Sequence, residues 1–245
     1  MVSPVQARSG SPDQGLVRVH RQVSTYARAG GMGHYRVHPL RSPALALGCS
    51  YLLAIAMLGP LLGSLADPST AFAEHFADDG NRLRDLVGAL SLVMSAAMLT
   101  WTALIARRIS VAATSAVRDL SAAAAVITAS TMVAAAGLLL AVPLTASIGE
   151  LTDDPGIEPG VQAGVVQAGT VMLLVAAVCL ACTIVLIARL GRQNGAVPRW
   201  IVATAWITAV ALCLGASVVL LLPFGLWAIA CGLVWRAPGL EPVHS

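Results

Sequence analysis

Long apolar runs alternate along the chain with short polar segments that carry nearly all of its charge. The runs 43–65, 86–106 and 170–188 contain no Asp, Glu, Arg or His. Each is about long enough to cross a hydrocarbon core of ~30 Å at a rise of ~1.5 Å per residue. This pattern predicts an all-α fold, a polytopic transmembrane helix bundle.

The predicted spans number six, and five is the alternative. The first four spans are predicted at 43–65, 86–106, 120–145 and 166–188. The last apolar stretch, Trp200–Trp235, has 36 residues and would be ~54 Å long as one helix. It therefore divides more naturally into two short spans with a turn at 215–217. Pro223 would then either kink the sixth span or mark its start.

The distribution of basic residues predicts the orientation. The chain contains no lysine, so only the arginines are counted. Thirteen of the fifteen arginines lie on one side of the predicted spans, and nine of the twelve acids lie on the other with Arg82 and Arg84. Basic loops remain in the cytoplasm, so both termini are predicted to be cytoplasmic. With five spans the C-terminus would lie outside. The lysine-free, alanine-rich composition indicates a bacterial protein, and hence the bacterial plasma membrane.

Three segments follow from these spans. Residues 1–42 are predicted to be a disordered, Arg-rich cytoplasmic tail, because they show no apolar period. Residues 43–236 are predicted to be the six-span bundle, and 237–245 a short cytoplasmic tail. Met32 is an alternative start that would leave a shorter tail. The chain is 57% apolar and 11% charged, whereas soluble domains are about 25% charged.

Small residues line several predicted helix faces. Gly59 and Gly63 have the G-x-x-x-G spacing, and Gly88, Ser91 and Ser95 share one face of the second span. Such faces allow close helix contact. The favoured interpretation is packing inside the bundle, and the alternative is an interface with a second copy or a partner.

Hydroxyl, thiol and indole side chains lie within or beside the predicted spans. The hydroxyls either line a polar path or bond a carbonyl one turn back, and we favour the second. They are Ser95, Thr100, Thr102, Thr128, Ser130 and Thr131. All five cysteines lie inside apolar runs. The C-x-x-C pair Cys179 and Cys182 could be a redox pair or half a zinc site, but the favoured interpretation is small buried apolar side chains. Trp200 and Trp235 are predicted at the cytoplasmic boundary, where indole rings favour the interface.

The predicted outward loops carry the only dense group of acids. Oxygen ligands could bind a divalent cation, but solvated acids are the favoured interpretation of Asp78, Asp79, Asp153, Asp154 and Glu158. His75 is predicted to be a surface residue. We predict no catalytic, cofactor-binding or metal-binding residue and no cofactor, because the nucleotide, hydrolase and zinc motifs do not occur. The mid-span regions also lack the ionisable groups of proton relays.

Three short motifs resemble a recurring pattern in bacterial membrane proteins. The first is 77–84, which leads into a span that ends at Arg107-Arg108. The second is Val197-Pro198-Arg199-Trp200, and the third is 222–227. The chain resembles an uncharacterised six-span integral membrane protein family, of the kind grouped under domains of unknown function. The resemblance implies six spans over residues 43–236 and brings no activity, cofactor or catalytic residue.

The function that these features predict is non-enzymatic. We expect an accessory, structural or partner-binding membrane subunit that contacts membrane lipids and either a second copy or a membrane-protein partner, with no nucleic acid. The alternative is a transporter or permease subunit for a neutral or lipid-like substrate, because short spans interrupted by Pro or Gly sometimes mark transport sites. An enzyme acting on lipid would need clustered acid, base or nucleophilic groups.

Reporter fusions test the predicted orientation. A fluorescent protein fused after Ser245 is expected to fluoresce, and alkaline phosphatase inserted in the 150–160 loop is expected to be active. These reporters work in the cytoplasm and outside it, respectively. The opposite pair of signals would contradict the orientation given by the arginines.

Overall fold

The computed structural model describes residues 40–63, 74–110, 113–152, 158–214 and 221–235. This part of the chain is all-helical, as predicted, and contains no strand. Its long helices are α1 Arg41–Gly63, α2 Asp79–Ile109, α3 Ser115–Thr152, α4 Pro159–Gln193, α5 Arg199–Leu214 and α6 Leu222–Val234. A single helical turn at 74–77 precedes α2. By length and composition, α1 to α4 are each able to cross a membrane.

The six long helices pack as a closed cycle. Each contacts its neighbour in the chain, and α6 contacts α1. Sequential helices are antiparallel: Gly88 near the start of α2 lies against Leu58 late in α1. Further along α2, Ser95 bonds Ser50, which lies earlier in α1. The cycle therefore brings the first and last helices of the chain together.

The last helix returns to the end of the bundle where the first one begins. Gly225 packs against Leu52, and Gly232 packs against Ala44, so α6 runs antiparallel to α1. We call this the arginine end, because its described arginines are Arg41, Arg107, Arg108, Arg118, Arg189, Arg192 and Arg199. The opposite end is the acid end, with Asp78, Asp79, Asp85 and Glu158 beside Arg82 and Arg84.

Apolar side chains fill the centre of the cycle. The largest of the fully buried ones come from several helices: Ile55, Leu58, Leu99, Met132, Ile184 and Phe224. The rings of Tyr51 and Phe224 meet edge to face at a centroid distance of 4.7 Å, a favourable aromatic geometry. This buried contact joins α1 to α6, the first and last helices of the cycle.

The small-residue faces pack inside the bundle where the structure describes them. Gly88 and Ser95 are buried against α1, which confirms the favoured interpretation for that face. Gly59 is only half-buried. Gly48 and Gly225, which are not part of a short glycine motif, instead lie where α1 and α6 are in close contact.

The helices extend beyond the predicted spans. Residues 79–85 were predicted as a loop, and this was wrong: they form the first two turns of α2. The Asp78 side chain caps them by accepting a hydrogen bond from the Asn81 backbone N at 3.2 Å, which satisfies an otherwise unpaired donor. Pro223 lies in the first turn of α6, so it marks the start of that helix. The turn at 215–217 and the two tails lie outside the described residues.

One prediction about burial was wrong, that of the C-x-x-C pair, because Cys182 is exposed. Cys49, Cys182 and Cys213 are exposed and only Cys231 is fully buried, because an apolar helix has an outer face as well as an inner one. Trp235 follows the last residue of α6 at the arginine end, where it is 6% exposed because it packs against Gly191 of α4.

A pair of glycine substitutions tests the seam between α1 and α6. Gly48→Ala is expected to destabilise the bundle by about 1–3 kcal/mol through overpacking. Its Cβ would lie 2.5 Å from Ile229 Cγ1 and 2.7 Å from the Gly225 carbonyl oxygen. The control Gly137→Ala meets nothing within 4 Å and should be neutral or slightly stabilising. Unfolding in detergent titrated with SDS measures the stability of both variants. Equal stabilities would contradict the close packing of α1 against α6 at Gly48.

Candidate functional site

A partly buried cluster of charged side chains lies at the acid end. Its members are His75 from the turn at 74–77 and Asp79, Arg82, Arg84 and Asp85 from the first turns of α2. Arg82 and Asp85 are three residues apart and share one helix face. Both are almost fully buried, because that face turns toward the rest of the bundle.

The central contact of this acid-end cluster joins His75 to Asp85. The His75 Nε2 atom lies 2.7 Å from Asp85 Oδ2, and the imidazole meets the buried ring of Phe76 edge to face at 5.1 Å. The prediction that His75 is a surface residue was wrong. Its partner is ten residues away across the start of α2, so no helical or strand period in the sequence could reveal the pair.

Two arginines of the cluster each lie near a carboxylate. Arg82 pairs with the exposed carboxylate of Asp79, and Arg84 Nε lies 4.0 Å from Asp85 Oδ1. A buried carboxylate is unstable without such partners. The cluster therefore holds the turn at 74–77 against α2 through electrostatic contacts, which is a structural role.

The described acids of the predicted outward loops do not form an open cation site, because two of them have other partners. Asp78 caps α2, and Asp79 pairs with Arg82. Glu158 is exposed at the start of α4, and the other predicted acids, Asp153 and Asp154, lie outside the described residues. Among the described residues, no three His, Cys, Asp or Glu side chains are grouped to hold a metal ion.

The hydroxyls of α2 and α3 bond to their own helices. All six donate to a carbonyl three or four residues back, which confirms the favoured prediction: Ser95, Thr100, Thr102, Thr128, Ser130 and Thr131. Two of them also reach a neighbouring helix. Ser95 lies 2.9 Å from Ser50 of α1, and Thr128 lies 2.8 Å from Thr183 of α4.

The contact between Thr128 and Thr183 links α3 to α4 when one of the two hydroxyls donates to the other. Each hydroxyl carries one proton, yet three contacts share the two protons. Thr128 lies 2.8 Å from the Ala124 carbonyl, Thr183 lies 3.0 Å from the Cys179 carbonyl, and the third contact joins the two hydroxyls. One threonine can donate to its own helix while the other donates across. Such links contribute about 0.6 kcal/mol on average within membranes.

Open cavities lie on the outside of the described helices. At the arginine end, a cavity of about 380 Å³ between the end of α2 and the start of α3 is lined by Leu104, Arg107, Arg108, Ser115, Arg118 and Asp119. We call it the arginine cavity. A second cavity of about 470 Å³ is an apolar groove between α4 and α5, lined in part by Cys182, Trp206 and Cys213.

The fold defines an all-helical bundle with four helices long and apolar enough to cross a membrane. No family model, curated protein or solved structure matches the chain. The resemblance to a six-span bacterial family therefore stays a prediction, and function has to be inferred from this chain's own residues.

A double-mutant cycle tests the acid-end cluster. Asp85→Ala and His75→Ala are each expected to cost about 1–3 kcal/mol of unfolding free energy, because each leaves a buried polar partner unsatisfied. The double variant should lose clearly less than the sum of the two, with a coupling of at least ~0.5 kcal/mol. Glu158→Gln removes an exposed acid at the same end and should change little. Strictly additive losses in SDS-titrated unfolding would show that the pair does not interact.

Proposed function

We propose that this chain is a non-enzymatic integral membrane protein that acts as an accessory or structural subunit. The observation that carries the proposal is the filled, closed cycle of helices. Because apolar and small side chains occupy the interior, the bundle meets other molecules through its outer faces and its two ends. A second copy or a partner membrane protein is the expected occupant of those surfaces.

Six crossings with both termini in the cytoplasm of a bacterial plasma membrane form part of the proposal. The support is that α5 begins, and α6 ends, at the arginine end. A five-span chain would not bring its last helix back to that end. At 16 and 13 residues, α5 and α6 would be about 24 and 20 Å long, and local thinning of the bilayer accommodates short spans. The arginines favour the cytoplasmic side.

A transporter for a neutral or lipid-like substrate is the second candidate. It is favoured by the same short helices: α6 has Pro223 in its first turn, and its Gly225 makes a close contact with Gly48 of α1. Interrupted short helices occur at the substrate sites of several transporters. This candidate predicts solute movement by the isolated chain in vesicles, whereas a structural subunit predicts none.

The native cysteines offer a test of assembly in membranes. Cys49, Cys182 and Cys213 point outward from α1, α4 and α5, whereas Cys231 is buried. A membrane-permeant bis-maleimide is expected to produce a discrete dimer or a covalent complex with a partner protein. The matched control replaces the three exposed cysteines with serine and keeps Cys179 and Cys231.

The outcomes of this experiment separate the two candidates. A crosslink that disappears in the serine control supports the accessory role. A strictly monomeric protein with no co-purifying partner contradicts that role. Flux of an uncharged solute into vesicles that contain only this chain would then identify a transporter.

A further inference from the structure

The arginine cavity has the chemistry of a phosphate-binding site, because three arginines line it. We propose that it binds the phosphate headgroup of an anionic phospholipid. The inference rests on the membrane-embedded bundle proposed above. It adds a ligand class and a site to that proposal, and it does not depend on whether the bundle assembles.

The charges that line the cavity are not balanced. Asp119 is the one acid among the lining residues, and it lies 2.7 Å from Arg107 Nη2. No ion pair within the described residues involves Arg108 or Arg118. Three guanidinium groups and one carboxylate leave a net charge of about +2 around an open space, which attracts an anion.

Arginine also has the geometry that phosphate recognition requires. A guanidinium presents a planar fork of donors that can engage two oxygens of one phosphate. Arg108 comes from the last turn of α2, and Arg118 comes from the first turn of α3. A headgroup between them is contacted from two helices, and Ser115 adds a hydroxyl donor from the cavity wall.

An apolar surface continues from the cavity along α2. Trp101, Leu104 and Arg108 are spaced by three and four residues, so they lie on one helix face. Trp101 is 58% exposed and Leu104 is 37% exposed. On the adjoining helix, Leu120 is exposed as well.

This continuity favours a lipid over a soluble phosphate compound. A phospholipid can place its phosphate among the arginines while its acyl chains cover Trp101 and Leu104. Inorganic phosphate would use the arginines alone and would leave the apolar stripe without a role.

Native mass spectrometry of the detergent-purified protein tests the site. The probes are phosphatidylglycerol and phosphatidylcholine with identical acyl chains, together with inorganic phosphate. The wild type is expected to bind phosphatidylglycerol about tenfold more tightly than phosphatidylcholine, and Arg108→Gln/Arg118→Gln should lose most of this preference, because each interfacial arginine contributes to anionic-lipid binding. Arg108→Lys/Arg118→Lys keeps the charge without the fork and should retain part of it.

A matched variant controls for general charge. Arg189→Gln/Arg192→Gln removes two exposed arginines from the same end of the bundle, on α4 and outside the cavity. It should keep the wild-type preference. Melting in detergent should be unchanged for all three double variants, because the substituted side chains lie at the surface or cavity wall.

Three results would overturn the inference. The first is a wild type with no preference between the two lipids. The second is equal loss in the two glutamine variants, which would show general attraction to a basic end. The third is saturable binding of inorganic phosphate without lipid preference, which would assign the cavity to a soluble ligand. The proposed assembly is tested separately by crosslinking in membranes. A failure of that proposal would not change the result of the lipid-binding measurement in detergent.

Discussion

Close contact between the backbones of α1 and α6 is the constraint on which the closed bundle depends. Lipid is as apolar as the helix surfaces, so helices in a membrane gain stability mainly from dispersion at short range. Gly48 and Gly225 have no side chain to keep the two helices apart, and this proximity lets Phe224 reach Tyr51 in the interior. Larger residues at this seam would open the cycle where the first and last helices meet.

Polar groups reinforce this packing where they can be satisfied. The hydroxyls in the helices bond a carbonyl of the preceding turn, and Ser95 and Thr128 extend that bonding to the next helix. A buried hydroxyl without a partner would cost more than such a bond contributes. The bundle therefore uses hydroxyls in its interior and keeps its charged side chains at the two ends.

The two ends use their charges differently. At the acid end, Asp85 is buried and has His75 and Arg84 as partners, so the charges stabilise a local fold. At the arginine end, Arg108 and Arg118 face an open cavity whose single carboxylate lies next to Arg107. Compensated and buried charges act as a structural clamp, whereas uncompensated charges around an open space are suited to a ligand.

The sequence by itself determined the helical class, the order of the apolar segments and the separation of arginines from acids. These properties depend on composition and on run length, which are local. It also predicted the bonding of hydroxyls to their own helices, because donor and acceptor are one turn apart. The tertiary structure alone decided that α6 closes onto α1, that His75 pairs with Asp85, and which cysteines point outward. Each of these depends on residues brought together from distant positions or on the direction of a helix face, and an almost uniformly apolar helix carries no period that reveals that direction.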